Sequence, residues 1–284
     1  MTTLLGASEI RALAAQLDLR PAKSLGQNFV IDANICRKIV RLAQIDAEDI
    51  ALEIGPGLGS LTLALLEVAK SVTAIEIDTR LASQLPTTVA SHSPSSHNLT
   101  VINEDALHVD QLSVKPTVLV ANLPYNISVP VLLHYLEKFP SITSGVVMVQ
   151  AEVADRLVAR PGTKDYGIPS VKAAWWAQMS HVGAISRSVF WPIPNVDSKL
   201  VRFVRHAAPT DESMRSDVFA AIDGAFAQRR KMLRSALSNW LGSSIHAEAV
   251  LVKAGIDPTL RGESLVIEDY CAIAKAKLEL ALGS

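Results

Sequence analysis

Four consecutive residues, Asn122, Leu123, Pro124 and Tyr125, follow the apolar run Val118-Leu119-Val120-Ala121. Their types suit chemistry on an aromatic amine. The Asn122 side chain offers a carbonyl oxygen that accepts a hydrogen bond. Pro124 has no N–H and a fixed φ, so the turn is stiff. Proline also keeps the preceding residue extended, which can aim the Leu123 carbonyl outward. Two convergent acceptors match the two N–H bonds of an exocyclic NH2 group. Tyr125 adds a flat face on which a purine can stack, worth ~1–3 kcal/mol per base. Drawing both N–H bonds toward oxygen tilts the nitrogen toward tetrahedral geometry and frees its lone pair to attack an electrophilic methyl. The oxygens stabilise the charge that develops on nitrogen. No dedicated general base is needed, because the methylated nitrogen sheds its own proton. The competing reading is structural: Asn122 caps the following helix and Tyr125 is core.

A second group of residues reads as a nucleoside site. The stretch "ALEIGPGLGSLTLAL" (51–65) is a strand, a glycine-rich turn and a helix. Gly55, Gly57 and Gly59 let the backbone turn tightly and approach a ligand closely. A dinucleotide fingerprint would place its third glycine where Ser60 stands. The G-x-G-x-G spacing therefore argues against NAD and for a less bulky ligand without a pyrophosphate. Such turns also occur as inert structure. Glu76 lies 21 residues after Gly55, near the end of "VTAIEID" (72–78). A carboxylate there can accept from both hydroxyls of a ribose, whereas Asp78 fits a surface carboxylate. Asp105, just past the third strand, could accept from an exocyclic adenine amine. Together these describe a nucleoside site along the C-terminal edge of an open α/β sheet.

The elements that would hold these groups follow from the hydrophobic pattern. Strands are predicted at 50–54, 72–77, 99–103, 117–122, 145–150 and 200–205. Helices are predicted near 33–44, 59–69, 79–85, 129–138, 151–159 and 169–179. Continuous apolar strands separated by helices imply a mostly parallel sheet with helices on both faces. After residue 206 the pattern changes. "HAAPTDES" (206–213) reads as a linker, and helical patterns follow at 215–226, 229–241, 246–254 and 264–281. The expected organisation is an α/β catalytic domain over 1–206 and a small all-helical domain over 207–284.

Composition excludes several classes. The net charge of −1 gives no global signal for nucleic acid, so any such signal is local. The local candidate is "QRRKMLR" (228–234), where Arg229, Arg230, Lys231 and Arg234 lie on a predicted helix, with Arg230 and Arg234 on one face at i,i+4. A solvated helix face is the alternative. Arg202 and Arg205 alternate with apolar residues in the last strand. Cys36 and Cys271 show no metal-ligand spacing, which fits a reducing compartment. The histidines form no ligand-spaced cluster, and no catalytic metal is expected. The longest apolar-rich run is shorter than the ~20 residues that span a bilayer. A soluble, cytoplasmic protein is expected, with no membrane partner.

The glycine turn, the two acids and Glu53 before the turn resemble the class I S-adenosylmethionine-dependent methyltransferases over roughly the first two hundred residues. In that class the glycine loop lies beside the methionine end of the cofactor. N-L-P-Y is the tetrad of enzymes that methylate adenine at N6. "LGQNFVID" (25–32), "EVADRLVARPGTKDYGIPSV" (152–171), "VFWPIPNVDSKLVRF" (189–203) and "AFAQRRKMLRSAL" (225–237) occur in order around it. Together they resemble the KsgA (RsmA) family of small-subunit rRNA adenine dimethyltransferases, over about residues 20 to 275.

The resemblance implies transfer of four methyl groups from S-adenosylmethionine to N6 of two adjacent adenosines. Those adenosines lie in a hairpin loop near the 3′ end of 16S rRNA, within an immature 30S subunit. It implies cofactor binding by Asn28, Val30, Gly55, Glu76, Asp105 and Asn122, with Gly57 in the same loop. It makes Phe190, in the pattern F-x-P-x-P-x-V-x-S (190–198), a second stacking face opposite Tyr125; a core aromatic is the alternative. Many relatives have a proline and a lysine at Ile193 and Asn195, which bears on the loop shape and one phosphate contact. Rival readings are an Erm-type enzyme acting on 23S rRNA, a mainly non-catalytic small-subunit assembly factor, and a DNA N6-adenine methyltransferase. An exposed catalytic face for a ribosomal particle favours a monomer.

Overall fold

A computed structural model of the chain describes residues 2–19, 27–124 and 126–282. The strands are β1 (Phe29–Val30), β2 (Ile50–Ile54), β3 (Ser71–Glu76), β4 (Leu99–Asn103), β5 (Val118–Asn122), β6 (Ser144–Gln150), β7 (Ala177–Ile185), β8 (Phe190–Trp191) and β9 (Ser198–Arg205). The helices are α1 (Ala7–Gln16), α2 (Ala33–Ala43), α3 (Ser60–Leu65), α4 (Thr79–His92), α5 (Ser128–Lys138), α6 (Ala151–Val158), α7 (Ile168–Ala173), α8 (Arg215–Ala227), α9 (Leu233–Ala236), α10 (Ser238–Leu241), α11 (Ser244–Lys253) and α12 (Ile267–Leu282). They form two compact units, Met1–Ala154 with Met179–Arg205, and Asp155–Gln178 with His206–Ser284.

The first unit is built on a seven-stranded sheet in the order β4-β3-β2-β5-β6-β9-β7. The pairs β2–β3, β3–β4, β2–β5 and β5–β6 are parallel, and β9 runs antiparallel to β6. Burial explains the apolar runs that mark these strands: Val118 to Ala121 are all at or below 1% exposure. Because β2 pairs with both β3 and β5, the chain changes winding direction between them. Ligands of open α/β sheets bind outside the carboxyl ends of the strands at such a switch point.

Each of the six predicted strands is present within about two residues of its expected bounds. The structure adds α1, β1, β7 and β8. β1 and β8 form a separate antiparallel pair with Val30 opposite Phe190. β7 replaces the end of the helix predicted over 169–179, which stops at Ala173. It lies at a sheet edge and is buried only at its two ends, so it lacks the apolar run that marks a central strand. α4 runs through Pro86 to His92, beyond the predicted stop at 85.

The second unit is helical, but its composition differs from the boundary at 206. Residues 155–178 cluster with the C-terminal helices. Their anchors are aromatic: the buried Tyr166 hydroxyl donates to the Leu265 carbonyl at 2.7 Å, and Trp175 and Trp176 meet Phe219 edge to face. The helix predicted over 229–241 is broken. Gln228–Met232 forms a turn, and α9 and α10 follow as single turns. The cause is tertiary: the Leu233 and Arg234 amides donate to the Leu260 and Pro258 carbonyls instead of to a preceding helical turn. Arg230 and Arg234 are therefore not neighbours on one helix. Cys36 and Cys271 are both buried free thiols. Among the described residues, no helix is long and apolar enough to cross a membrane.

Candidate active site

The carboxyl ends of β2, β3, β4 and β5 open onto one cavity. Asn28, Val30, Gly55, Gly57, Glu76, Asp105 and Asn122 all line it, and so does Pro124. The seven residues assigned to the cofactor from sequence are thus brought together from five separate segments. Glu53 and Ser60 also face it.

The glycine turn is constrained on two sides. Gly57 has φ +58°, and a Cβ there would lie 2.9 Å from the Phe29 ring. Only glycine accepts both conditions without strain. The turn's shape lets the Gly57 amide donate to Glu76 Oε2 at 3.1 Å, while the Asp78 amide donates to Oε1 at 3.0 Å. Each oxygen of the Glu76 carboxylate is thus aimed by one backbone N–H and retains a lone pair for a hydroxyl donor. Burial, with 5% exposure, raises the pKa of Glu76, and the Asp78 charge adds to the rise; the backbone amides of Asp78, Gly57 and Ile77 oppose it.

Asn103, a residue absent from the sequence-based assignment, clamps this turn. Its Nδ2 donates to the carbonyls of Glu76 and Ile77 at 2.8 and 3.3 Å, and its Oδ1 accepts from Thr79 Oγ1 at 2.9 Å. The available signal was its position at the end of β4 beside the end of β3. Asp105 follows in a turn in which Oδ1 accepts from the Leu107 amide at 2.9 Å. Beneath the loop, Glu53 is 1% exposed and accepts from Thr62 Oγ1 at 2.6 Å. Burial pushes its pKa up to about 8; the Thr62 bond opposes the rise and the Glu76 charge adds to it.

Asn122 ends β5 with its amide held. Nδ2 donates to the Asn28 carbonyl at 3.0 Å. A carbonyl can only accept, so the NH2 end must face Asn28, and Oδ1 is left to take donors. The side chain therefore does not cap α5, whose N-cap residue is Ile127. Leu123 is anchored by its amide, which donates to the Met148 carbonyl at 3.0 Å, and its side chain is core. Gly55 packs close by: a Cβ on it would lie 3.8 Å from the Asn122 carbonyl oxygen and 4.0 Å from Pro124 Cδ. Tyr125 lies outside the described residues. Phe190 corrects the expectation of a stacking face in this arrangement. It is 1% exposed, pairs with Val30 across β1–β8, belongs to the hydrophobic core and does not line the cavity. The F-x-P-x-P pattern marks the position but not which way the ring faces.

The cations divide by role. Arg229 Nε donates to Glu263 Oε2 at 2.7 Å, and its Nη2 donates to the Lys164 carbonyl at 2.8 Å, so it braces the second unit internally. Arg234 lies 3.5 Å from Glu248. Arg230 and Lys231 are exposed on the turn, and among the described residues neither has an acidic partner. Arg205 ties the carbonyls of Leu136 and Ile142, at 2.7 and 2.6 Å.

The cavity fits the S-adenosylmethionine that the sequence implies. It offers paired acceptors on Glu76 for a ribose and glycine backbone where a side chain would intrude. Ser60 Oγ adds a buried hydroxyl with no partner among the described residues. Asn122 stands on the same wall with an acceptor oxygen.

Comparison with known proteins agrees. A profile described as ribosomal RNA adenine dimethylase matches residues 19–278. The chain is 58% identical to the ribosomal RNA small subunit methyltransferase A of Thermobifida fusca, over 96% of each chain. It is 56% identical to the protein of the same name from Streptomyces coelicolor, over 97% of each. Among solved structures it resembles a dimethyladenosine transferase from Plasmodium falciparum, with TM-score 0.70 and 26% identity, covering 85% of this chain and 94% of that one. It also resembles the 23S rRNA methyltransferase ErmE, with TM-score 0.65 and 25% identity, covering 88% and 99%. The first unit has the class I methyltransferase fold. The chain belongs to the ribosomal RNA adenine dimethylase family.

Proposed function

We propose that the protein dimethylates N6 of two adjacent adenosines in the 3′-terminal hairpin loop of 16S rRNA. The observation that supports the mechanism is the Asn122–Asn28 hydrogen bond, because it occupies the NH2 end of the side chain and leaves the Asn122 oxygen for incoming donors in a cavity that Glu76 and Asp105 also line. S-adenosylmethionine, when bound, supplies an electrophilic methyl group. Glu76 would hold its ribose, Asp105 its adenine amine, and the Gly55–Gly57 backbone its methionine end.

The target adenine must leave its loop, at a cost of a few kcal/mol that a single-stranded loop already reduces. Asn122 Oδ1 and the Leu123 carbonyl then accept the two N–H bonds of the amine. Pro124 keeps that acceptor pair rigid, so little reorganisation is needed when charge develops on nitrogen. Positioning supplies much of the remaining acceleration. The product nitrogen releases its proton without a protein base. Tyr125 is the stacking face in this scheme. Arg230 and Lys231, with no acidic partner among the described residues, grip phosphates, whereas Arg229 and Arg234 contribute mainly by holding the surface in shape.

The natural partner in this proposal is the immature 30S particle in the cytoplasm, met by a monomer. Two relatives at 56–58% identity are named for the small subunit, against 25% for the 23S enzyme, which favours the small-subunit substrate over the large. Methylation of immature small-subunit particles and of large-subunit RNA by the purified protein tests this. Label appearing in small-subunit rRNA alone is expected; label in large-subunit RNA alone would overturn the assignment.

A further inference from the structure

We propose that the edge of the first unit formed by α2, β9 and β7 is a separate contact surface for the rRNA backbone, with Lys38, Arg41 and Arg202 as its phosphate-binding cations. The proposal rests on the rRNA reading above and adds a surface that the catalytic cavity does not include.

The three side chains come from two elements and meet over a third. Lys38 and Arg41 are i,i+3 neighbours on α2 and share a face. Lys38 Nζ lies 3.6 Å from where a Cβ on Gly183 of β7 would stand. The glycine leaves room for the lysine to lie across the strand. The same Cβ position is 3.5 Å from Leu200 Cδ1 of β9, so Gly183 flanks Leu200. Arg202 is two residues further along β9 and points to the same side as Leu200. Its Nη2 donates to the Gln44 side-chain oxygen, and Gln44 is the C-cap of α2, three residues after Arg41. Ser180 of β7 reaches the Arg202 carbonyl at 3.4 Å. The cations therefore occupy one continuous patch.

What marks this patch is three cations gathered without a counter-charge. Four other cations of the unit are matched: Arg37 with Glu67 at 2.8 Å, Lys70 with Glu48 at 2.9 Å, Arg80 with Asp78 at 2.9 Å and Lys138 with Asp110 at 3.5 Å. Arg187 and Arg205 bond backbone carbonyls instead. Among the described residues, Lys38, Arg41 and Arg202 have no acidic partner, and Arg202 Nε is buried without an acceptor. Acids near in sequence are engaged elsewhere. Glu67 is held by two nitrogens of Arg37, and Asp49 accepts from Thr117 Oγ1 and the Asp46 amide. Three like charges gathered in a chain of net charge −1 repel one another unless a polyanion compensates them. None of the three lines the cavity. Spread along an edge rather than closed around a point, they suit a run of phosphates more than a small anion.

The salt dependence of binding tests the surface. The probes are a naked rRNA fragment carrying the 3′-terminal hairpin with its flanking helices, and whole small-subunit particles. The variants are Lys38→Gln/Arg41→Gln, which changes only α2 positions outside the core, and the triple variant that adds Arg202→Gln. Each phosphate contact contributes roughly 0.7–0.9 to the slope of log affinity against log salt. The double variant should lower the slope by about 1.5 and the triple by about 2.5 on both probes. Cofactor affinity and turnover at saturating RNA should be unchanged. Unaltered slope and affinity in both variants would overturn the proposal. Weaker binding to particles with naked RNA unaffected would also overturn it, in favour of an acidic protein surface. A wild-type protein that binds no small-subunit RNA would instead bring down the functional reading, and the surface with it.

Discussion

Replacing Glu76 by glutamine probes the nucleoside site with almost no change of shape. In the native turn the Gly57 and Asp78 amides each donate to a different carboxylate oxygen, at 3.1 and 3.0 Å. Glutamine has one oxygen and one NH2, so in either orientation one backbone N–H faces another donor. Leaving that buried donor unpaired costs about 1–3 kcal/mol. Removing a charge that burial disfavours offsets part of this, so the fold should survive. Ligand binding has no such offset. A ribose that used both carboxylate oxygens loses one charge-assisted hydrogen bond, worth about 1.5–3 kcal/mol. At 1.4 kcal/mol per factor of ten, binding should weaken about 10- to 150-fold. Titration calorimetry with S-adenosylmethionine and with its demethylated product reads this directly. Turnover at saturating cofactor should change little, because Glu76 does not touch the target amine. Cofactor affinity within about twofold of wild type would refute the assignment of Glu76 to the ribose.

Other consequences follow from the same geometry. Glu53 has a folded pKa of about 8 against an ordinary 4.5, so between about pH 5 and 8 the folded protein holds a proton that the unfolded chain has released. Stability should therefore fall by a few kcal/mol as pH rises through that window and level off above it. In Glu53→Gln, thermal denaturation should show a flatter decline over the same range; an unchanged pH profile would contradict the buried-carboxyl account. Arg229→Ala should lower the melting temperature of the protein, since Glu263 and the Thr163 and Lys164 carbonyls lose their donor. Arg230→Ala should leave melting unchanged and weaken RNA binding; equal effects on melting would contradict the division of roles.

The legible parts of this protein are those that burial imposes on the sequence. β2, β3, β5 and β6 are central, so their apolar runs are continuous, and the site residues at their ends can be counted from those runs. β7 escaped because an edge strand with exposed positions has no such signature. The 228–232 turn escaped because "QRRKMLRSAL" has good local helix propensity, which hydrogen bonds to Pro258 and Leu260 override. Arg229 looked like an RNA contact because its partner, Glu263, lies 34 residues away in sequence. Phe190 stands where the motif predicts, but its burial depends on β1, a two-residue strand too short to leave a pattern. Asn103 is a similar case: its role in aiming Glu76 exists only once β3 and β4 lie side by side.

The central claim is that this chain, through the acceptor oxygen of Asn122, places four methyl groups on two adjacent adenosines of small-subunit rRNA. Mass spectrometry of the 3′-terminal hairpin from cells that carry the wild-type protein, lack it, or carry Asn122→Ala tests it most directly. Two neighbouring N6,N6-dimethyladenosines are expected with the wild type, and their loss in the other two strains. Both dimethyladenosines at full occupancy in the strain lacking the protein, or in the Asn122→Ala strain, would contradict it.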